Sequence, residues 1–243
     1  MFGILGYSLK MKTNRQLIEF YKNKHELEHV FFSKKTDNDN FKLIDGIVTP
    51  LKLDLRQYCS PTDNQGETSH CAAFTVANIL ESLYWKNSGK LLQFDAAQIY
   101  AKSKEADGFV NLDGTYPEIA MSVGLELSKN LLTQKYKVKK IYNDENIVSN
   151  LKRIIHKNGL IAGGFKITED WMYLKKGNSF LDSYSKKELG GHCVTIVGYF
   201  NDSLIVQNSW GREWGANGFA RISWKVVEKE FIYGTYLENK NGF

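Results

Sequence analysis

The sequence has few of the features that mark secreted or membrane-spanning chains. Its 243 residues include only three cysteines, Cys59, Cys71 and Cys193, and an odd number argues against a complete disulfide framework. No apolar run approaches the roughly 18 residues that a membrane span requires. The first residues, MFGILGYSLK, have no basic segment before them and no small-residue cleavage site after them. We therefore expect reduced thiols in the cytoplasm or another reducing compartment, which includes a virion or host cytoplasm.

Charge of one sign is not in large excess either. The chain has 32 basic and 27 acidic residues, a net charge of +5, and its lysines are scattered. A nucleic-acid partner is therefore not expected. The apolar and charged fractions, 42% and 24%, are those of an ordinary globular protein of one large domain or two small lobes. We expect a monomer without a membrane partner and without a cofactor.

Helical patterns come first along the chain and strand patterns second. A polar stretch at 34–40 separates an N-terminal extension, 1–45, from the main domain, 46–243. Predicted helices cover 71–86, 115–124 and 144–157, and predicted strands cover 160–165, 193–199, 203–207 and 218–224. In the second helix, Thr115 and Glu118 have capping-box spacing, and Gly124 is expected to end it. This order predicts an α+β protein with a helical lobe, about 65–145, and a sheet lobe, about 150–243.

Three residues at the edges of these elements form the parts of a nucleophilic site. Cys71 opens a predicted helix, whose free N–H groups and dipole stabilise a thiolate. His192 enters one predicted strand, and Asn208 follows the next. Such a set predicts that Cys71 attacks a carbonyl carbon, that His192 carries the proton, and that Asn208 accepts a hydrogen bond from the ring. Gln65 is expected to donate its amide to the developing oxyanion, together with the Cys71 backbone N–H.

The motifs around these residues resemble those of the papain-like cysteine peptidase family over roughly residues 50–225. The similar segments are Asp54-Leu55-Arg56, Asn64-Gln65-Gly66 with Cys71 six residues after the Gln, Gly191-His192-Cys193-Val194, Val197-Gly198-Tyr199 and Gln207-Asn208-Ser209-Trp210-Gly211. The resemblance implies a helical lobe and an antiparallel, barrel-like sheet lobe, with a cleft between them. It also implies hydrolysis of peptide bonds through an acyl-enzyme. Thr68 stands where the family usually has a disulfide cysteine, as in its disulfide-poor microbial and viral members.

The resemblance further implies residues that contact a peptide substrate. Trp210 would cover the hydrogen bond between Asn208 and His192. Gly191 would offer its carbonyl near the scissile bond, and Gly164 would face the pocket for the second residue before the cut. The wall that pairs with the substrate backbone would consist of Gly114, Thr115 and Tyr116. Thr115 replaces a glycine of the family pattern in that wall.

Other functions stay open at this level. His70 and Ala72 depart from the family pattern beside the nucleophile, which leaves room for a catalytically silent peptide- or partner-binding protein. A thiol isopeptidase or amidase of the same fold would carry the same motifs. No loop with paired histidines is visible to block one end of the cleft, so an endopeptidase is expected. The extension, 1–45, is either a short pro-segment or a packing arm.

A second motif points to different chemistry. His25-Glu26-Leu27-Glu28-His29 fits the H-E-x-x-H pattern of zinc peptidases and lies on a predicted helix. However, the segment before the motif on this helix is polar, and only 24 residues precede the motif. No third metal ligand can be named from the spacing. We interpret it as a solvated charged face and predict no metal site.

Overall fold

The computed structural model describes residues 48–132 and 135–239. The predicted extension, residues 1–45, and the His25–His29 motif lie outside these residues. Among the helices of the described ranges, none combines the length and the apolar character needed to cross a bilayer.

The described residues form five α-helices and eight strands. The helices are α1 (Cys71–Ser88), α2 (Ala96–Asp107), α3 (Pro117–Ser128), α4 (Ile147–Asn158) and α5 (Trp224–Glu230). The strands are β1 (Leu53–Asp54), β2 (Lys137–Tyr142), β3 (Ile161–Thr168), β4 (Phe180–Leu181), β5 (Glu188–Tyr199), β6 (Ser203–Gln207), β7 (Phe219–Ser223) and β8 (Phe231–Glu238). The arrangement is α+β, as predicted from the sequence.

One sheet contains all eight strands, in the order β2-β8-β3-β5-β6-β7-β4, with β1 paired to β5. Neighbouring strands are antiparallel except β4 and β7. The sheet includes β2, although its residues lie within the range predicted for the helical lobe. Strand β5 is central, because β3 pairs along one edge and β6 along the other. A residue on β5 is thus held in position from both sides.

Helix α1 joins the helical layer to the sheet. Its first thirteen residues, 71–83, are buried except Phe74, because the run is rich in alanine and aliphatic side chains and is covered on several sides. It packs against α2, α3 and strand β5. The Thr75 hydroxyl donates a hydrogen bond to the Cys193 carbonyl, with 3.1 Å between the oxygens. The first turn of α1 therefore lies against the middle of β5.

The capping box and the end predicted for the second helix were wrong, whereas a start near residues 115–118 is confirmed. It begins at Pro117, and its N-cap is Tyr116 without a side-chain cap, because the Thr115 hydroxyl instead donates to Asp107 at 2.8 Å. Gly124 does not end the helix, which runs on to Ser128. A Cβ at Gly124 would lie 2.8 Å from side-chain atoms of both Leu80 and Val76. This glycine therefore allows α3 to approach α1 closely.

We predict that Gly124→Val destabilises the protein through overpacking. The branched side chain would clash with α1, and overpacking of a well-packed core costs about 1–3 kcal/mol of unfolding free energy. Denaturant titration measures the loss. Ser122→Val, at an exposed position on the same helix, is the matched control and is expected to change stability much less. Equal losses in the two variants would contradict the close approach.

Candidate active site

Cys71 is the first residue of α1 and is fully buried. Burial raises the pKa of its thiol to about 11, although hydrogen bonds from the backbone N–H groups of Cys193, Ala72 and Cys71 itself act to lower it. The sulfur thus lies against the backbone immediately after His192. In this dry environment the thiol is a poor nucleophile near neutral pH unless a neighbouring base takes its proton.

His192 lies on β5, fully buried, and is held by two neighbours. Its Nε2 is 2.8 Å from Asn208 Oδ1, and the indole of Trp210 stacks on the ring with 4.5 Å between centroids. Asn208 Oδ1 also accepts the Ser209 backbone N–H at 2.8 Å. Because that backbone group can only donate, the oxygen of the amide faces the ring, and Nε2 carries the proton of this hydrogen bond.

Gln65 is held in place from both ends of its amide. Its Nε2 donates to the Thr68 carbonyl at 2.7 Å, and its Oε1 accepts the Ser209 hydroxyl at 2.6 Å. Its backbone N–H also donates to the Ser209 carbonyl at 2.8 Å. The amide nitrogen has a second N–H that can serve as a donor to an oxyanion. Ser209 follows Asn208 in the chain, so one short segment orients both residues.

The predicted substrate wall is tied to the helical lobe from behind. The Gly114 N–H donates to the Tyr100 hydroxyl at 3.1 Å, and its carbonyl accepts from Lys104 at 2.9 Å. Both backbone groups of Gly114 thus have partners inside the protein, although its carbonyl oxygen can accept one further hydrogen bond. Pairing of this residue with substrate stays a prediction. The Thr115 side chain is also turned inward, and only Tyr116 is partly exposed.

The two remaining glycines predicted to contact substrate lie on paired strands. Gly164 on β3 stands opposite Cys193 on β5 and opposite Tyr233 on β8. Gly191 precedes His192 on β5 and pairs with Lys166. The sheet register therefore places Gly164 beside the residue that follows His192.

His70, which departs from the family pattern, is anchored on the helical lobe. Its ring stacks on Tyr100 with 3.8 Å between centroids. Burial lowers the pKa of His70, while the charge of Asp113 acts to raise it. Because Tyr100 also binds Gly114, the residue before the nucleophile is linked through one tyrosine to the predicted substrate wall.

A row of aromatic rings behind His192 was not predicted from the sequence. Trp214 meets Trp210 edge-on with 5.9 Å between centroids, and its Nε1 donates to the Trp171 carbonyl at 2.8 Å. The Trp171 Nε1 in turn donates to buried Glu230 at 2.6 Å, which also accepts the Thr168 hydroxyl at 3.0 Å. Of these residues, only Trp210 lies in the motifs that resemble the family, and nothing in the sequence around Glu230 marks it as their support.

None of the three cysteines forms a disulfide. Among residues 48–132 and 135–239 there is no group of three or more His, Cys, Asp and Glu side chains that could hold a metal ion.

The chain is similar in sequence to known cysteine proteases. The family model described as "Papain family cysteine protease" matches residues 100–234, which include His192 and Asn208 but not Cys71 or Gln65. The chain is 28% identical over 194 residues to "Cysteine proteinase 3" of Entamoeba histolytica, covering 71% of the chain and 62% of that protein. It is 25% identical over 218 residues to human "Cathepsin L2", covering 72% and 60%. The chain thus spans about three fifths of the length of these relatives.

The solved structures support the fold. Xylellain, a cysteine protease from Xylella fastidiosa, superposes with a TM-score of 0.66 at 15% identity, covering 88% of this chain and 98% of that one. This agreement confirms the predicted two-lobed, papain-like α+β fold.

We predict that Glu230 makes stability fall as pH rises. Burial raises the pKa of Glu230 to about 7 from an ordinary value of 4.5. Between these values the folded state keeps a proton that the unfolded state has lost, so the free energy of unfolding decreases with increasing pH. Thermal unfolding at pH 5 and pH 8 measures the effect, which Glu230→Gln is expected to remove.

The control for this prediction is Glu228→Gln, at an exposed position on the same helix. It is expected to keep the pH dependence of the wild-type protein. An unchanged pH dependence in Glu230→Gln would show that the Glu230 carboxyl does not titrate in this range.

Proposed function

The chain belongs to the papain family of cysteine proteases, and from this premise we propose that it hydrolyses peptide bonds through Cys71 and His192. The observation that carries the proposal is the 2.8 Å contact between His192 Nε2 and Asn208 Oδ1 under the indole of Trp210. With Nε2 directed to Asn208, Nδ1 is the ring nitrogen that exchanges a proton with the sulfur. Asn208 thereby sets the tautomer and stabilises the imidazolium.

The proposed reaction begins with proton transfer. Because burial raises the pKa of Cys71 to about 11, the thiolate forms only as its proton passes to His192. The thiolate then attacks the carbonyl carbon of the substrate, and the negative oxygen is stabilised by the Cys71 backbone N–H and the second N–H of Gln65. His192 returns the proton to the leaving amine, and an acyl-enzyme remains.

Hydrolysis of the acyl-enzyme completes the proposed cycle. His192 takes a proton from water, which attacks the thioester carbonyl, and the proton then passes to the departing sulfur. The aromatic row behind the ring excludes water from the back of the site. Exclusion of water strengthens the hydrogen bond between His192 and Asn208 in the imidazolium form.

Two observations favour an enzyme over a silent peptide-binding protein. Gln65 is fixed through both amide atoms by Thr68 and Ser209, an arrangement that binding alone does not require. His192 is fully buried with a partner that favours its charged form, and such costly placement of a titratable group is characteristic of catalytic sites.

We propose endopeptidase action within this reaction class. The histidines of the described residues are His70, His156 and His192, of which His70 is stacked on Tyr100 and His156 lies on α4. None of them belongs to a paired-histidine loop at an end of the cleft. Endopeptidase action requires that a substrate extend past both sides of the scissile bond.

The proposal predicts that Cys71 alone carries activity. Cys71→Ala is expected to reduce hydrolysis of a fluorogenic peptide library by a factor of about 10³ or more, since loss of a nucleophile removes the covalent step. The same change is expected to abolish labelling by a peptide vinyl sulfone, as detected by mass spectrometry.

Cys59→Ala is the matched control, because Cys59 is also buried and burial raises the pKa of its thiol to about 12. It is expected to keep both activity and labelling. Labelling that persists in Cys71→Ala, or a wild-type protein that binds peptides without cleaving them, would instead favour the silent binder.

A further inference from the structure

A small cavity lies behind Asn208, between helix α1 and the end of strand β6. Asn78 from the helix and Gln207 and Asn208 from the sheet side contribute to its lining. The volume open to the centre of a water-sized sphere is about 10 Å³. This is room for about one water molecule.

Three buried polar atoms belong to residues that line this cavity. They are Asn78 Oδ1, Gln207 Oε1 and Asn208 Nδ2, and none has a hydrogen-bond partner among residues 48–132 and 135–239. The three residues are only 6%, 3% and 3% exposed. Buried polar atoms are nearly always satisfied by protein or by ordered water, because leaving them unpaired costs a hydrogen bond. Three such atoms around one cavity point to a common partner.

The orientation of all three amides is fixed by their other contacts. Gln207 Nε2 donates to the Ser60 carbonyl at 2.9 Å. Because a carbonyl can only accept, the unpartnered atom of this amide is the oxygen, Oε1. Asn78 Nδ2 donates to the Ser60 hydroxyl at 2.8 Å, while that hydroxyl also hydrogen-bonds to the Glu81 carboxyl. Asn208 Oδ1 accepts the Ser209 N–H, which leaves Nδ2 as a donor. The three unpartnered atoms therefore supply two acceptors and one donor, and the lining also includes Asp63, Thr75, Thr195 and Ser209.

We propose that this cavity is a binding site for one structural water that holds the Asn208 amide in its working orientation. A water molecule donates two hydrogen bonds and accepts up to two, so it can donate to Asn78 Oδ1 and Gln207 Oε1 and accept from Asn208 Nδ2. A metal ion would fit the two oxygens but not the N–H of Asn208. The balance of donors and acceptors thus selects water.

The water gives Asn78 and Gln207 a positioning function. Asn208 is then held at both ends of its amide, by Ser209 at the oxygen and by the water at the nitrogen. Asn78 lies on α1 seven residues after Cys71, so the same water connects the helix that carries the nucleophile to the segment that orients the imidazole. The existence of the water does not depend on catalysis, whereas its effect on rate rests on the proposed function.

A crystal structure of the full chain at a resolution that shows individual waters tests the site. Electron density is expected within about 3.2 Å of all three atoms. Absence of density there, or a site occupied by a metal ion, would overturn the proposal. This readout needs no activity, so an inactive wild-type protein with the water in place would refute the proposed function and leave the water site intact.

Kinetics of Asn78→Leu test the positioning function. This change keeps the size of the side chain but removes Oδ1, together with the Nδ2 donor to the Ser60 hydroxyl. The kcat is expected to fall about threefold to tenfold with little change in KM, the effect of one ordinary hydrogen bond in the support of Asn208. Because a less well-oriented Asn208 stabilises the imidazolium less, the basic limb of the pH profile is expected to move to lower pH. Gln207→Leu, which removes the second acceptor from the sheet side together with the Nε2 donor to the Ser60 carbonyl, is expected to act in the same direction.

Two comparisons separate positioning from general damage. Ser82→Ala removes another buried hydrogen bond of α1, to the Asn78 carbonyl, and is expected to leave the pH profile in place. In an Asn208→Ala background, Asn78→Leu is expected to have no further effect on kcat, because the residue it acts through is gone. Additive losses in the double variant, or an equal pH shift in Ser82→Ala, would overturn the positioning function.

Discussion

The packing of the first turn of α1 against the middle of β5 is the contact on which the site depends. Thr75 fixes the register of the helix by its bond to the Cys193 carbonyl, and the Cys193 backbone N–H reaches the sulfur of Cys71. Two residues far apart in the chain are thereby brought to one place. Because β5 is paired along both edges, neither element can move without disturbing the sheet.

Burial at this contact has two opposite consequences. It raises the pKa of the thiol, which disfavours the anion that attack on a carbonyl requires. It also strengthens each hydrogen bond around the imidazole, because the medium screens charge less than water does. Cys71 alone is therefore a poor nucleophile. The site becomes reactive only through the pair of Cys71 and His192, in which Asn208 and Trp210 hold the imidazole.

The sequence predicts the parts of this site that depend on local chemistry. Cys71 begins α1 and Asn208 directly follows β6, as predicted, and their motifs have the order of the family. His192 was predicted to enter a strand but lies inside β5, because this strand begins earlier, at Glu188. The helix-starting position of Cys71 was visible from residue pattern alone. The α+β class also followed from the order of helical and strand patterns, although α2, α5, β2 and β8 were not predicted. Strand β8 is buried along most of its length, so its apolar residues do not alternate with polar ones.

Features that depend on tertiary contacts could not be predicted from the sequence. Thr115 had the spacing of a helix cap, but Asp107 offers its hydroxyl a better-placed acceptor. Gly124 had the chemistry of a helix end, but its lack of a side chain serves the contact between α3 and α1. Asn78 looks like an isolated polar residue in an apolar helix, and only the positions of Ser60 and Gln207 show what its amide faces.

The central claim is that Cys71 ionises by giving its proton to His192. The ultraviolet absorbance of the thiolate, titrated with pH and taken as the difference from Cys71→Ala, measures this directly. We predict thiolate already present near neutral pH in the wild-type protein, whereas in His192→Ala burial keeps the pKa of the Cys71 thiol high and the thiolate appears only at alkaline pH. The same titration curve with and without the imidazole would contradict it.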